Sequence, residues 1–595
     1  MNAGPGTISK VFLSNSLLRI PYFQRPYVWD EEDWKRFAED MESTIESATG
    51  NRRKYFLGAL IFKEEEPTQN EVLEGIDSKQ LVIDGQQRLT TMAIYMKILH
   101  ILAGRENKFN NQFLQDNPSK DPVIIHSCDD APQFRVIMHL PTLRDVEGDS
   151  NIVRAYMFFK NYLRERQQNG VNMTHLLNTV ISSINFVIIS LQKDDDEQQI
   201  FDTINSLGEP LTTGDLLKNF LYRDNDELLY KDTWYKVFDT KDNFKFWNEH
   251  ISKTSQAKTA ENKRIEKFLY AYVRMKMWDF QEHFRGNDRK DFVKTKNVFY
   301  TVKTFVNIFG ADRIEIANEI VEYAKLYRKH LSSDILDIRV PQHFGIKRIS
   351  CLLNATKKET PIPYILYILK NVQDETERNL IFGYIETYII RRMLAESSND
   401  DKSYSEFFTE QLIGQKINTF NKLKAYNQKQ SDNNLAMPTD SRIKMRQSEK
   451  KLDEIRARII YYLYETKLVP TSANTFNKGF NSYYAEQLMP KPGKEADPNW
   501  PVLPNQDEEN ERVKLLGTLG NYFLLDDIDT KELKKVHNIA LTLKKETILR
   551  WTQGIRSSHI PLKQINNWDS SEIRKRNNGY AEKFCKDIWP INNND

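Results

Sequence analysis

Apolar positions over the first 225 residues follow two rhythms. YFLGALIF (Tyr55–Phe62), LVID (Leu81–Asp84) and INFVIISL (Ile184–Leu191) are β-branched or aromatic runs of strand length. Between them, in QQRLTTMAIYMKILHIL, Leu89, Met92, Ala93, Met96 and Leu99 recur at helical spacing. Ile200, Phe201, Ile204 and Leu207 repeat that spacing ahead of Gly208, which reads as a helix C-cap. Pro210 and a Thr212-x-x-Asp215 capping box then start a further helix. Residues 1–225 are therefore expected to form a mixed α/β domain.

The pattern changes twice further on. Residues 226–399 are dominated by long aromatic-rich helical stretches such as IEKFLYAYVRMKMWDF and NLIFGYIETYIIRRML, expected to form a helical spacer or bundle. From 400 to 595 polar connections interrupt the helices: KQSDNNLAMPTDS (429–441) and the proline-rich KPGKEADPNWPVLPNQDEEN (491–510). No repeat of solenoid period is present in the sequence. The expected architecture is multidomain α+β, in three parts.

Composition narrows the class. At 595 residues the chain has room for about three to five domains of ~100–200 residues. With 39% hydrophobic and 11% aromatic residues it can build cores and is not a largely disordered chain. A net charge of +2 means that any nucleic-acid surface is local. Such a surface is offered by residues 416–467, where 12 Lys and Arg stand against 6 Asp and Glu, among them Arg442, Lys444, Arg446, Lys450 and Lys451. These side chains suit DNA phosphate contact or, equally, a solvated helix face. Cys128, Cys351 and Cys585 lie far apart and form no CxxC pair, which excludes a disulfide scaffold and fits a reducing compartment. No apolar run has the length of a signal peptide or a membrane span, so a cytoplasmic location and no membrane partner are expected.

Two N-terminal motifs carry candidate chemistry. In LVIDGQQRLTTM (Leu81–Met92), Asp84-Gly85 breaks a strand and Gln86-Gln87-Arg88 opens a helix. A turn of this kind presents backbone N–H groups and the positive end of a helix to an anion. Arg88 adds a fork-shaped donor for phosphate, and Asp84 is placed to hold Mg²⁺ or orient water. The alternative is a plain strand-to-helix turn with Arg88 in an ion pair. In IPYFQRPYVWDEEDW (Ile20–Trp34), Tyr22, Phe23, Tyr27, Trp29 and Trp34 surround Gln24 and Arg25. They form either an aromatic cage for a base, with Arg25 on phosphate, or a hydrophobic staple into the following helix.

Together, I-P-x-x-Q-R-x-Y-x-W and I-D-G-Q-Q-R-L-T-T closely resemble the N-terminal family of GmrSD-type, modification-dependent (type IV) restriction enzymes. FDTINSLGEPLTTGDLLKNFLY (Phe201–Tyr222) is similar to that family's third block, with Asn205, Gly208 and Leu211 at the corresponding places. The resemblance implies a ParB/sulfiredoxin-like α/β domain. It makes Asp84, Gly85, Gln86, Gln87 and Arg88, with Gln24 and Arg25 beside them, nucleotide-binding or hydrolysis candidates for GTP or another NTP. No GxxxxGK[ST] loop occurs in the sequence, so nucleotide use would not be of P-loop type.

The C-terminal part extends the resemblance. LLGTLGNYFLL (Leu515–Leu525) looks like the "LGNLTLL" block of the HNH-like domain of GmrSD-type proteins, and NWDSSEIRKRNNGYAEKFCKDIWP (Asn567–Pro590) is similar to its closing helix. Where the family carries E-H-I-L-P, this chain has Glu486-Gln487-Leu488-Met489-Pro490. In a ββα-metal nuclease the histidine takes a proton from the attacking water while a divalent ion, Mg²⁺ or Mn²⁺, stabilises charge on phosphate. Glutamine hydrogen-bonds water but does not take its proton. Asn521, His537 and Asn538 complete the catalytic candidates with Gln487 and Asp84, His537 being a possible substitute base.

The resulting expectation is a nucleotide-dependent, modification-sensing DNA endonuclease of prokaryotic anti-phage defence, acting on double-stranded, modified phage DNA. The alternative is a weakened or inactive HNH member that serves as a nucleotide-binding DNA sensor or regulator. A homo-oligomer or a separate defence partner protein is compatible with either.

Overall fold

The structure is a computed structural model. It describes residues 2–47, 54–126, 130–192, 212–222, 226–251, 263–284, 297–395, 404–429, 435–489, 505–526, 546–550 and 568–591, apart from 23, 25, 405, 472, 474 and 547. The chain is α+β and divides into two compact units, one formed by 1–266 with 311–317, the other by 267–310 with 318–595.

The first unit is built on a six-stranded mixed sheet. Its strands are β1 (Asn2–Thr7), β2 (Ser16–Arg19), β3 (Tyr55–Glu65), β4 (Ser78–Asp84), β5 (Ile124–Ile125) and β6 (Ile184–Leu191), in the spatial order β1-β6-β3-β4-β2-β5. β6 runs parallel to β3, β4 is antiparallel to β3, and β2 is parallel to both β4 and β5. The three strands expected from their apolar runs sit at the centre. β1, with the sequence NAGPGT, pairs antiparallel with β6 at the edge, where proline does not interrupt a ladder on both sides.

Helix α2 (Gln86–Leu102) is the core of this unit. Every residue from Gln86 to His100 except Arg88 is buried, so the helix is covered nearly all round rather than on one face, as expected of a helix wrapped by others. Its Leu89, Met92, Tyr95, Met96 and Leu99 pack in one cluster with Trp34 and Phe37 of α1 (Glu31–Ser47), Tyr156 and Phe159 of α3 (Asn151–Gln168), and Leu176 and Val180 of α4 (Met173–Ser183). On the other face of the sheet, Ile61, Leu81, Ile83 and Leu191 form a smaller cluster with Leu216 of α5 (Thr213–Leu221). α5 starts on the expected capping box: Thr212 and Asp215 exchange both hydrogen bonds.

The second unit is mainly helical, including α6 (Ile346–Thr356), α7 (Glu375–Ala395), α8 (Asp440–Arg446), α9 (Glu454–Leu468) and α10 (Ser570–Lys583). Its described strands, β7 (Tyr483–Gln487) and β8 (Tyr522–Asp526), form an antiparallel pair. Arg348 of α6 and Glu386 of α7 are fully buried and joined by a two-armed ion pair, Nη2 to Oε1 at 2.7 Å and Nε to Oε2 at 2.9 Å. Arg348 also donates to Thr466 and Leu463 O of α9, so the charge is saturated with partners, as a buried guanidinium requires. No described helix is long and apolar enough to cross a membrane.

Candidate functional site

The two N-terminal motifs, some sixty residues apart in sequence, meet in space. Gln24 donates its amide to Val82 O at 2.6 Å and Ile83 O at 3.1 Å, at the end of β4. Gln87, in the first turn of α2, accepts the Val28 N–H at 2.9 Å and donates to Pro26 O at 3.2 Å. The 24–28 segment is thereby sewn onto the strand–turn–helix junction by the two glutamines that the sequence marks. A second line of donors runs beneath it. Trp34 Nε1 donates to Tyr27 Oη (2.9 Å), Tyr27 donates to Thr91 (2.6 Å), and Thr91 donates to Gln87 O (2.8 Å). The Tyr27 hydroxyl is held far above its ordinary value, chiefly by burial, and stays a neutral donor.

The described aromatic residues of the motif are packed inward. Tyr27 and Trp34 lie in the hydrophobic core, Trp29 packs against Phe37 with its ring tilted, and Tyr22 is buried against Tyr230. Tyr22, Tyr27 and Trp34 are thus core side chains. Phe23 and Arg25 fall outside the described residues.

The turn itself has a specific backbone. Gly85 takes φ 98°, a left-handed conformation, and a Cβ there would stand 2.4 Å from Leu60 Cδ2. The N-cap position of α2 is Gly85, which has no side chain to cap it, and the first turn carries no acidic residue. The 17-residue helix points the positive end of its dipole at this turn. Arg88 and Asp84 flank it, both about a quarter exposed, with Arg88 Nη2 on Asp84 Oδ2 at 2.9 Å. Gln86 is buried, and its carbonyl accepts the Thr90 hydroxyl, which also meets His126 Nε2 at 3.2 Å. Sequence reading did not single out His126. Burial pushes its imidazole down to about 3, so it is neutral. His100, on the same helix, is pushed down by burial to about 4.

The third sequence block is partly described. Asn205, Gly208 and Leu211, with the helical spacing at 200–207, lie outside the described residues. Lys218 of α5 is buried and pairs with Asp239 at 3.0 Å, which also accepts the Tyr230 hydroxyl at 2.6 Å. Since Tyr230 packs on Tyr22, the first and third blocks adjoin through that tyrosine. The N-terminus of α5 is closed by Glu266, which accepts the Thr213 N–H at 2.5 Å and is pushed up to about 7 by burial.

In the second unit, Gln487 ends β7 opposite Tyr522 of β8 and hydrogen-bonds its hydroxyl. The neighbouring Asn521 is fully buried. Its Oδ1 accepts from Met489 N–H (2.9 Å) and Trp568 Nε1 (3.1 Å), and its Nδ2 donates to Met489 O and Leu516 O, both at 2.9 Å. All four positions of the amide are used inside the protein, so Asn521 clamps the segment that follows Gln487. α10 supports the same clamp: Arg576 donates to Gly520 O at 2.7 Å, and Asn577 accepts the Gly520 N–H at 2.7 Å. His537, Asn538 and Pro490 fall outside the described residues. No group of three or more His, Cys, Asp or Glu is placed to hold a metal ion among the described residues. In the basic stretch, Arg442, Lys444 and Lys451 are exposed and Arg446 and Lys450 half-buried, with Arg446 on Glu449 at 2.9 Å.

The first unit is thus a mixed-sheet domain whose strand–turn–helix junction is held by Gln24 and Gln87 and flanked by the Asp84–Arg88 pair. Residues 8–222 match the family model of the GmrSD restriction endonuclease N-terminal domain. No curated protein matches the chain.

Proposed function

We propose that the protein is a nucleotide-dependent, modification-sensing DNA endonuclease of prokaryotic anti-phage defence, working in the cytoplasm. The observation that carries this reading is the start of α2, where a left-handed glycine opens the helix and Arg88 and Asp84 flank it. Phosphates of GTP or another NTP would meet the helix end and the Arg88 guanidinium. Gln24 and Gln87 would hold the junction rather than touch the ligand, since their amides are used on backbone partners. Asp84 is a single carboxylate, which fits a Mg²⁺ or Mn²⁺ ion arriving on the nucleotide with most of its own water shell. The ParB/sulfiredoxin-like relationship of the fold and the HNH-like, ββα-metal relationship of the β7, β8 and α10 region belong to the same reading. So does phosphate contact by Arg442, Lys444, Arg446, Lys450 and Lys451, which favours double-stranded DNA as the target.

A second reading is favoured by one residue. Gln487 stands where a general base is needed, and its amide is engaged with Tyr522. On that reading the C-terminal region binds DNA without cutting it efficiently, and the protein is a nucleotide-binding sensor or regulator. Incubating the purified chain with each NTP, Mg²⁺ or Mn²⁺, and modified or plain duplex DNA separates them. Nucleotide turnover with cleavage of modified DNA supports the first, turnover with DNA binding alone supports the second, and neither turnover nor nucleotide binding rejects both.

A further inference from the structure

The Arg88 guanidinium is not simply an exposed arm beside Asp84; it rests on a gap in strand β3. The register of β3 against β6 shifts between Phe56, opposite Asn185, and Ala59, opposite Val187. Leu57 and Gly58 therefore oppose the single residue Phe186, as in a β-bulge. Gly58 takes φ +118°, a conformation that side-chain-bearing residues rarely adopt. A Cβ built on Gly58 would lie 2.0 Å from Arg88 Nη1 and 3.2 Å from its Cζ. Two independent observations, the left-handed backbone and the missing Cβ, converge on one function. The bulge opens a slot in the sheet, and the guanidinium fills it while Nη2 stays on Asp84.

We propose that Gly58 is a positioning residue for phosphate recognition: its bulge and bare α-carbon set where the Arg88 guanidinium lies at the start of α2. This deepens the nucleotide-binding reading and rests on it. A fork donor is useful to phosphate only when its plane is held, because both arms must reach their oxygens together. The bulge supplies that restraint from below and Asp84 from the side. A side chain at 58 would push the guanidinium off its seat without removing its charge.

The test is a double-substitution cycle on the full chain, Gly58→Ala with Arg88→Lys, read twice. Lysine keeps the charge but lacks the arm that meets the new methyl. Thermal stability without nucleotide is the first readout. Gly58→Ala is expected to lower Tm more in the parent chain than in the Arg88→Lys background, where only backbone strain remains. Affinity for Mg²⁺–GTP and Mg²⁺–ATP, by titration calorimetry, is the second. Gly58→Ala alone is expected to weaken binding about 10- to 100-fold, the value of one charge-assisted hydrogen bond, and to add little to the loss caused by Arg88→Lys. Equal Tm costs in both backgrounds, or fully additive losses of affinity, would overturn the proposal. Coupled Tm values with no nucleotide bound by the parent chain would reject the nucleotide reading, and with it the phosphate role of Gly58, while leaving the packing of Arg88 on the bulge established.

Discussion

The indole nitrogen of Trp589 donates a hydrogen bond to Glu386 Oε1 at 2.9 Å, with both side chains fully buried. The Trp589 carbonyl in turn accepts Arg391 Nη1 at 2.9 Å, so the segment after α10 is tied to α7 by side chain and backbone alike. Trp589→Phe keeps most of the ring and deletes the donor, leaving a charged oxygen with one partner fewer. A loss of ~1.5–3 kcal/mol is expected, read as a lower urea midpoint at unchanged slope. Arg348→Met strands the Glu386 charge and is expected to cost more, about 3–5 kcal/mol.

Arg88→Ala should abolish nucleotide binding without unfolding the chain, because Arg88 is the one residue between Gln86 and His100 that is not buried. Titration calorimetry with GTP and ATP alongside circular dichroism checks this. Unchanged affinity in a folded variant would remove Arg88 from the site.

Gln487→His places an imidazole at the end of β7, where the proposed HNH-like reading puts its base. If the surrounding architecture is competent, cleavage of modified duplex DNA should rise by ~10²–10⁴-fold, the usual contribution of general-base catalysis. No rise, in a variant that still binds DNA, would mark the region as a binding module.

Asn521→Ala removes an amide that makes four internal bonds and leaves the Met489 backbone and the Trp568 indole without partners. Denaturant unfolding should show a loss of at least ~2 kcal/mol, since each buried group left unpaired costs about 1–3 kcal/mol. Asn521 thus acts through the backbone it holds.

Two kinds of buried group give the first unit opposite responses to pH. Burial raises the Glu266 carboxyl to about 7, so its contribution is fully present below its unfolded value near 4.5 and is lost as pH rises toward and through 7. Burial lowers His100 to about 4 and His126 to about 3, so their contribution is present above ~6.5 and is lost as pH falls toward those values. Glu266→Gln keeps an acceptor for the Thr213 N–H and removes the charge. Its Tm should exceed that of the parent at pH 8 and match it near pH 5; the reverse order would refute the assignment.

Much of this architecture is legible in the apolar rhythm. The run Ile184–Leu191 is β6 from end to end, LVID is the end of β4, and the Thr212–Asp215 box caps α5. β1 and β2 escape notice for physical reasons. NAGPGT carries no β-branched residue before its last and is strand only because β6 offers it a ladder, and β2 is four residues long. The DGQQR turn is legible as a turn, but the partners of Gln24 and Gln87 are not, since they depend on contacts across some sixty residues. The same holds for the aromatic motif, whose spacing suits a cage as well as a core until the path of α1 is known. Gly58 gives no local signal, because a glycine in an apolar run does not reveal what lies above it.

The pairing of β1 with β6 has a kinetic consequence. β1 finds its partner only at 184–191, and β3, which already has β4 on one side, waits for the same strand on the other. During synthesis, at ~5–20 residues per second, the sheet stays open for many seconds until that strand leaves the ribosome. Long-separated pairings of this sort fold slowly. A nascent chain paused before residue 184 should therefore present an unfinished edge to chaperones, and truncations ending there should be recovered largely in aggregates.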